Sequence, residues 1–206
     1  MMKRLWIVFF LMGLAGCLGG TRPAPLIRQY VLDYRPPRVE NITPVDAVLK
    51  VERFSVNRLY LGPEMVFVSA PFQRGAYLES RWRIGPGDMV ADFLRRDLRA
   101  AALFRAVTSP RDFEESPYRL EGGVEEFVEA REGAARKAVL AATITLLDLS
   151  RRELPGRVVF QKTYREDEPL AKEGAADFAE AMSRAMSRFS AEAIADIDRI
   201  LKPAGK

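Results

Sequence analysis

The chain has 206 residues, 48% hydrophobic and 29% charged, with a formal net charge of +4, one cysteine and no histidine. This balance suits one compact core plus a tail, since a single core normally takes roughly 100 to 200 residues, and it excludes a disordered or low-complexity polymer. Without histidine there are no Ser-His or Cys-His nucleophile pairs, HExxH zinc sites or near-neutral imidazole shuttles, and one cysteine permits neither an internal disulfide nor a CxxC metal knuckle.

In chain order, residues 1–16 read as a signal peptide. Lys3 and Arg4 form its charged start, and Leu5 to Leu14 its apolar run, shorter than the ~20 residues a spanning helix needs. Leu14-Ala15-Gly16-Cys17 then matches the lipobox of bacterial lipoproteins at all four positions. Cys17 is therefore expected to be lipidated on sulfur and to become the mature N-terminus, each buried methylene of its acyl chains adding roughly 0.8 kcal/mol to the membrane anchor. Removing Lys3 and Arg4 leaves 30 basic against 28 acidic residues, or +2. That is too weak a field to suggest a nucleic-acid partner. An aspartate directly after the cysteine would resemble an inner-membrane retention signal; Leu18 stands there instead, which favours the periplasmic face of the outer membrane.

Residues 17–45 read as anchor and linker, extended by Pro23, Pro25, Pro36, Pro37 and Pro44. One short strand interrupts them at Tyr30, Val31, Leu32, Asp33 and Tyr34. It is expected at a sheet edge, where unpaired backbone groups can accept a partner strand. The folded domain is expected over 46–202, with a tail at 203–206. Its first half reads as β-rich from Ala47 to Val56, a strand from Met65 to Ala70, a strand from Tyr77 to Ile84 and, after Gly85-Pro86-Gly87-Asp88, a helix to about Leu103. The apolar stripe of that helix is Val90, Phe93, Leu94, Leu98 and Ala101, with Arg95, Arg96 and Arg99 turned mostly to solvent.

The second half predicts strands from Tyr118 to Ala130, Ala138 to Leu149 and Arg157 to Tyr164, then a helix from about Gly174 to Leu201. Both faces of the middle strand are apolar, so it belongs at the centre of a sheet. Arg131-Glu132-Gly133 and Pro155-Gly156 supply hairpin turns on either side of it. The last helix carries Phe178, Met182, Ala185, Phe189, Ala193, Ile197 and Ile200 in one stripe. Strands followed by a helix, twice over, define an α+β domain: a largely antiparallel sheet with two main helices packed on one side.

No GxSxG elbow, SxxK pair, Walker-type loop or dinucleotide fingerprint is present. The chain is expected not to be an enzyme and to need no cofactor or metal. Adjacent acids occur at Glu114-Glu115, Glu125-Glu126 and Glu166 to Glu168, and are expected to be solvated surface. Neighbours on a strand point to opposite faces, so Glu125 and Glu126 converge only if a bulge re-aims one of them. Arg151, Arg152 and Arg157 flank a turn. Met182, Met186 and Trp82 are expected to pack in the core, although methionine could line a lipid site and tryptophan an interface.

Tyr30-Val31-Leu32-Asp33, Arg81-Trp82, Tyr118-Arg119-Leu120 and Val124-Glu125-Glu126-Phe127, in this order behind a lipobox and ahead of an alanine-rich final helix, resemble the ABC-type transport auxiliary lipoproteins, the PqiC-like group. The loop Tyr60-Leu61-Gly62-Pro63-Glu64 keeps only the start of the corresponding family segment. The resemblance implies a TolB- or CsgG-like α+β fold. It also implies an envelope lipoprotein that works with an MCE-domain protein and ABC transporter subunits to move phospholipid or another lipid between membranes. Homo-oligomerisation stays open. A second reading is a structural envelope lipoprotein that scaffolds an outer-membrane or cell-wall complex without lipid transport, and a third is a carboxylate-only enzyme.

Overall fold

The computed structural model describes residues 26–112, 116–133 and 135–202. The signal peptide, Cys17, the Glu114-Glu115 pair and the tail 203–206 lie outside the described residues. The elements in order are β1 (Arg28–Tyr30), β2 (Val45–Val51), β3 (Ser55–Val56), a 3-10 turn (Arg58–Tyr60), β4 (Glu64–Ala70), β5 (Gln73–Trp82), α1 (Pro86–Ala101), β6 (Phe104–Thr108), β7 (Tyr118–Glu132), β8 (Ala135–Asp148), a single helical turn α2 (Leu154–Arg157), β9 (Val158–Pro169) and α3 (Ala175–Leu201).

The nine strands among the described residues join one sheet organised around β7. On one side β7 pairs antiparallel with β8, and β8 with β9, in long registers. On the other side it receives β2, β3 and β4 in parallel, each along a short stretch. β6 then pairs parallel with β2, β5 antiparallel with β4 and β1 parallel with β5. The class is α+β as the sequence implies, and the longest ladders are antiparallel. The sheet as a whole is mixed.

The core lies between the sheet and the two helices. On β8, Ala138, Leu140, Ala142, Ile144 and Leu146 are at most 1% exposed, and Val139 and Ala141 on the opposite face are buried too. That two-sided burial is what a central strand with apolar residues on both faces requires. Against it lie Phe178, Met182, Ala185, Met186, Phe189, Ala193 and Ile197 of α3, so both methionines belong to the core. Ile200, expected in the same stripe, is 38% exposed, and Leu201 packs against the core in its place. Trp82 is buried edge-to-face against Phe127 and Phe178, so it packs and does not face an interface.

Several boundaries differ from the sequence reading. The first helix begins at Pro86, with Asp88 in its first turn, and ends where Ala102 takes a left-handed backbone at φ 52°. The buried Leu103 then leads into β6, a strand hidden in the sequence because Leu98 and Ala101 seem to extend the helical stripe. Pro155-Gly156 lie in the turn α2 instead of a tight hairpin. Gly133, at φ 61°, makes the turn between β7 and β8, a conformation that glycine adopts without a Cβ penalty.

The proline-rich segment after β1 is extended, as proline dictates, but it is strapped across the helices. Asp33 N donates to Ser183 Oγ at 3.0 Å, and Thr43 N to Asp198 Oδ1 at 2.7 Å. Tyr34 stacks on Phe93 and donates its hydroxyl to Asp97 Oδ2 at 2.6 Å. Arg96 lies over both rings and also bonds Asp97. Arg96 is thus bound into the helix face instead of reaching for solvent, and burial followed by the Asp97 carboxylate pushes the Tyr34 hydroxyl up.

Candidate partner-docking edge

The acids singled out in the sequence are structural wherever the described residues include them. The ladder of β7 on β8 slips between Val124 and Glu126, so the bulge occurs and turns Glu125 and Glu126 to the same outer face. There Thr143 Oγ1 donates to Glu125 and Arg165 pairs with Glu126. They therefore converge, but onto hydrogen-bonding partners of their own.

Glu166 and Glu168 are buried, contrary to the expectation of a solvated surface. Arg188 holds Glu166 at 2.9 Å and Glu168 at 3.1 Å, and Arg184 reaches Glu168 at 3.2 Å. Burial, then the charge of Glu192, raises the Glu166 carboxyl above its usual range, with Arg188 opposing. Asp167, on the other face, pairs with Lys137 at 2.8 Å. The arginine pairs of Glu166 and Glu168 clamp β9 to α3. Arg151 and Arg157 close the β8–β9 connection by bonding Asp148 and backbone carbonyls. Among the described residues no group of three or more Cys, Asp or Glu side chains is placed to hold a metal ion, and no helix is long and apolar enough to cross a membrane.

The region left unclamped is the far edge of the sheet. Of the five residues expected there, only Tyr30 is in the strand. β1 ends at Tyr30, Leu32 is 3% exposed, and Asp33 and Tyr34 are engaged with the helices. This corrects the edge to Arg28–Tyr30, because the interior takes up Leu32 and Tyr34 as soon as the chain leaves the sheet. β1 covers β5 only at Ser80, Arg81 and Trp82. Among the described residues, Gln73–Glu79 therefore have no strand on the side away from β4.

β5 is also irregular at that point. Its register on β4 shifts between the Glu64–Arg81 and Val66–Ala76 pairs, so Tyr77 to Ser80 bow out opposite Met65. Arg81 donates to the carbonyls of Tyr77 and Ser80, which satisfies backbone acceptors that the bulge takes out of the ladder. This gives the Arg81-Trp82 pair two jobs: arginine fixes the bulge and tryptophan packs beneath it.

Beside the bulge an open groove of about 650 Å³ runs between the edge and the start of α3, lined by Tyr30, Phe67, Tyr77, Leu78, Ala175 and Ala176 with Arg28, Glu79 and Glu173 at its sides. Gly75 makes room for its wall, since a Cβ there would stand 2.5 Å from the Phe67 ring. Two of its lining residues, Tyr77 and Glu173, belong to a polar network. Tyr77 donates its hydroxyl to the buried Glu129, Arg136 bonds Glu129 at 2.7 Å, and the same arginine reaches Glu173 at 2.6 Å. Burial and Glu129 push the Tyr77 hydroxyl up. Leu78 projects outward, 87% exposed. The arrangement offers a strand edge that no other strand covers among the described residues, apolar side chains and a hydrogen-bonded polar border. It suits docking better than bond-making.

A model of the family described as "ABC-type transport auxiliary lipoprotein component" matches residues 30–195, and the chain belongs to that family. The family is one of cell-envelope lipoproteins associated with ABC transporters. Among solved structures, the chain is similar to protein XCC0632 from Xanthomonas campestris, with 21% identity, a TM-score of 0.75, and coverage of 84% of this chain and 95% of that one. It is also similar to the hypothetical protein CT253 from Chlamydia trachomatis, with 9% identity, a TM-score of 0.54, and coverage of 77% and 100%. At these identities the likeness is one of fold. A search of the curated proteins finds no match.

Proposed function

We propose that the mature chain is held by acyl chains on Cys17 to the periplasmic face of the outer membrane and serves as a binding and scaffold subunit of an MCE-type ABC system. That system would transfer phospholipid or another lipid between membranes. The observation that carries this reading is the open edge of β5 with its bulge and groove, a surface shaped to receive an extended segment of another protein through backbone hydrogen bonds, with pockets for alternate side chains. In this reading the subunit performs no chemistry of its own, in keeping with the hydrogen bonds and ion pairs that engage Glu125, Glu126, Glu166 and Glu168. The test is chemical crosslinking in intact envelopes followed by recovery of the lipidated chain. Recovery of an MCE protein or transporter subunit supports the reading. Recovery of cell-wall proteins alone, with unchanged lipid asymmetry in a deletion strain, replaces it with the structural scaffold.

A further inference from the structure

The turn between β4 and β5 has only two residues, Pro71 and Phe72, between the paired Ala70 and Gln73. Phe72 sits at φ 64° and is fully exposed. Proline followed by positive φ is the pattern of a type II turn, whose second position normally takes glycine or asparagine. A phenylalanine there accepts backbone strain and leaves a large apolar ring in water, a combination that stability alone does not favour.

The topology says what lies opposite that ring. β1 runs parallel to β5 with Arg28 beside Ser80, so the chain enters β1 from the side of the molecule on which the β4–β5 hairpin ends. Leu26, two residues before that pair, is 84% exposed and Ile27 52%. Nine peptide links separate Leu26 from Cys17 and span at most about 30 Å. The hairpin tip lies six residues along β5 from Leu78, about 20 Å at strand rise. A membrane holding Cys17 is therefore within reach of the tip, and the short tether limits how far the domain can stand off.

We infer that Phe72 is a second membrane contact: the Pro71-Phe72 tip inserts its ring at the lipid headgroup boundary and fixes the orientation of the tethered domain on the bilayer. The exposed charges at this end are mixed, Arg74 and Arg131 against Asp167 and Glu173, so the apolar ring and not anionic lipid drives the contact. This inference rests on the acyl anchor at Cys17 proposed above.

With Cys17 acylated the mature chain has no other thiol, so Gln73→Cys, exposed beside the tip with Phe72 intact, gives one labelling site for an environment-sensitive fluorophore, and Arg152→Cys, in the β8–β9 connection at the opposite end of the sheet, gives the control. Each lipidated full-length protein is reconstituted into phosphatidylethanolamine–phosphatidylglycerol vesicles and into neutral phosphatidylcholine vesicles carrying lipid-borne quenchers. The expected result is a blue-shifted label at position 73, quenched several-fold more than at position 152 and equally in both lipids. Vesicles that float with the protein while the two labels stay equally wet overturn the membrane contact and leave the anchor intact. Contact only in the anionic vesicles overturns the apolar-ring account. A protein that does not float removes the anchor and this inference with it. Phe72→Gly in the Gln73→Cys background, with an unchanged circular dichroism spectrum, should lose the excess quenching; quenching that survives removal of the ring overturns its role in the contact.

Discussion

The two flanks of β7 are built differently. On one side β8 and β9 continue it in long ladders, and α3 is fastened across them by apolar packing and by charges brought inward: Arg188 and Arg184 on Glu166 and Glu168, and Lys162 and Tyr164 on Asp196 at 2.6 and 2.9 Å. On the other side the parallel pairings are short, β5 bows out of register, and Leu26, Phe72 and Leu78 face water. A chain that spends its regular packing on one flank can leave the other irregular and open. Stability should therefore respond mainly to changes on the β8–β9 flank, and assembly mainly to changes on the β4–β5 flank.

The largest expected effect is in the clamped flank. Phe189 is fully buried and packs edge-to-face on Tyr164. Phe189→Ala should lower unfolding free energy by about 3–5 kcal/mol, read from urea denaturation, and a loss under about 1 kcal/mol would mean that this flank does not carry the fold. Next, Asp97→Ala removes the carboxylate that holds the half-buried Tyr34 hydroxyl and Arg96 and loosens the strap behind β1, for about 1–3 kcal/mol.

The pH dependence separates carboxylates with opposite signs. For Asp196 and Asp198 burial alone would raise the carboxyl, but Lys162 and Tyr164 on the first, and Lys202 with the Thr43 amide on the second, bring both below the usual range. Their stabilisation is present above about pH 4, where the unfolded groups ionise, and is lost as pH falls through the folded values. Asp196→Asn should flatten that acid loss in a series of urea midpoints. Glu166 is raised, so its folded form binds a proton more readily and gains stability as pH falls through its folded value. Glu166→Gln should remove that gain, and an unchanged profile would place Glu166 in water.

The smallest stability effects belong to the open flank. Leu78→Lys should shift the urea midpoint by an amount equivalent to less than about 0.5 kcal/mol, yet remove transporter components from the recovered complex. Phe72→Gly should be neutral or stabilise by up to about 1 kcal/mol, because it relieves a left-handed backbone that costs a side chain roughly that much.

The division between the flanks also tracks what could be read from the chain. The middle strand and the final helix were legible because long periodic runs such as Ala138 to Leu147 and Phe178 to Ile197 leave no other pattern. β9 was cut short at Tyr164, since Arg165-Glu166-Asp167-Glu168 looks like solvated charge until Arg184 and Arg188 arrive from a helix distant along the chain. β6 was hidden by the αL ending at Ala102. The sequence pattern puts the edge strand at Tyr30–Tyr34, where the structure has Arg28–Tyr30. The bulge of Tyr77 to Ser80 carries no sequence period, and the burial of Leu32 and Tyr34 depends on helices that come later. Phe72 did leave a signal, an aromatic residue directly after proline between two β-patterned runs.

The most direct test purifies the lipidated full-length chain from native envelopes in mild detergent, beside its Leu78→Lys counterpart, and identifies accompanying proteins by mass spectrometry. The account predicts an MCE protein or ABC transporter subunits with the first and their loss from the equally folded second. Equal recovery with both, or recovery of neither partner with the unaltered chain, would contradict a docking role for the β5 edge.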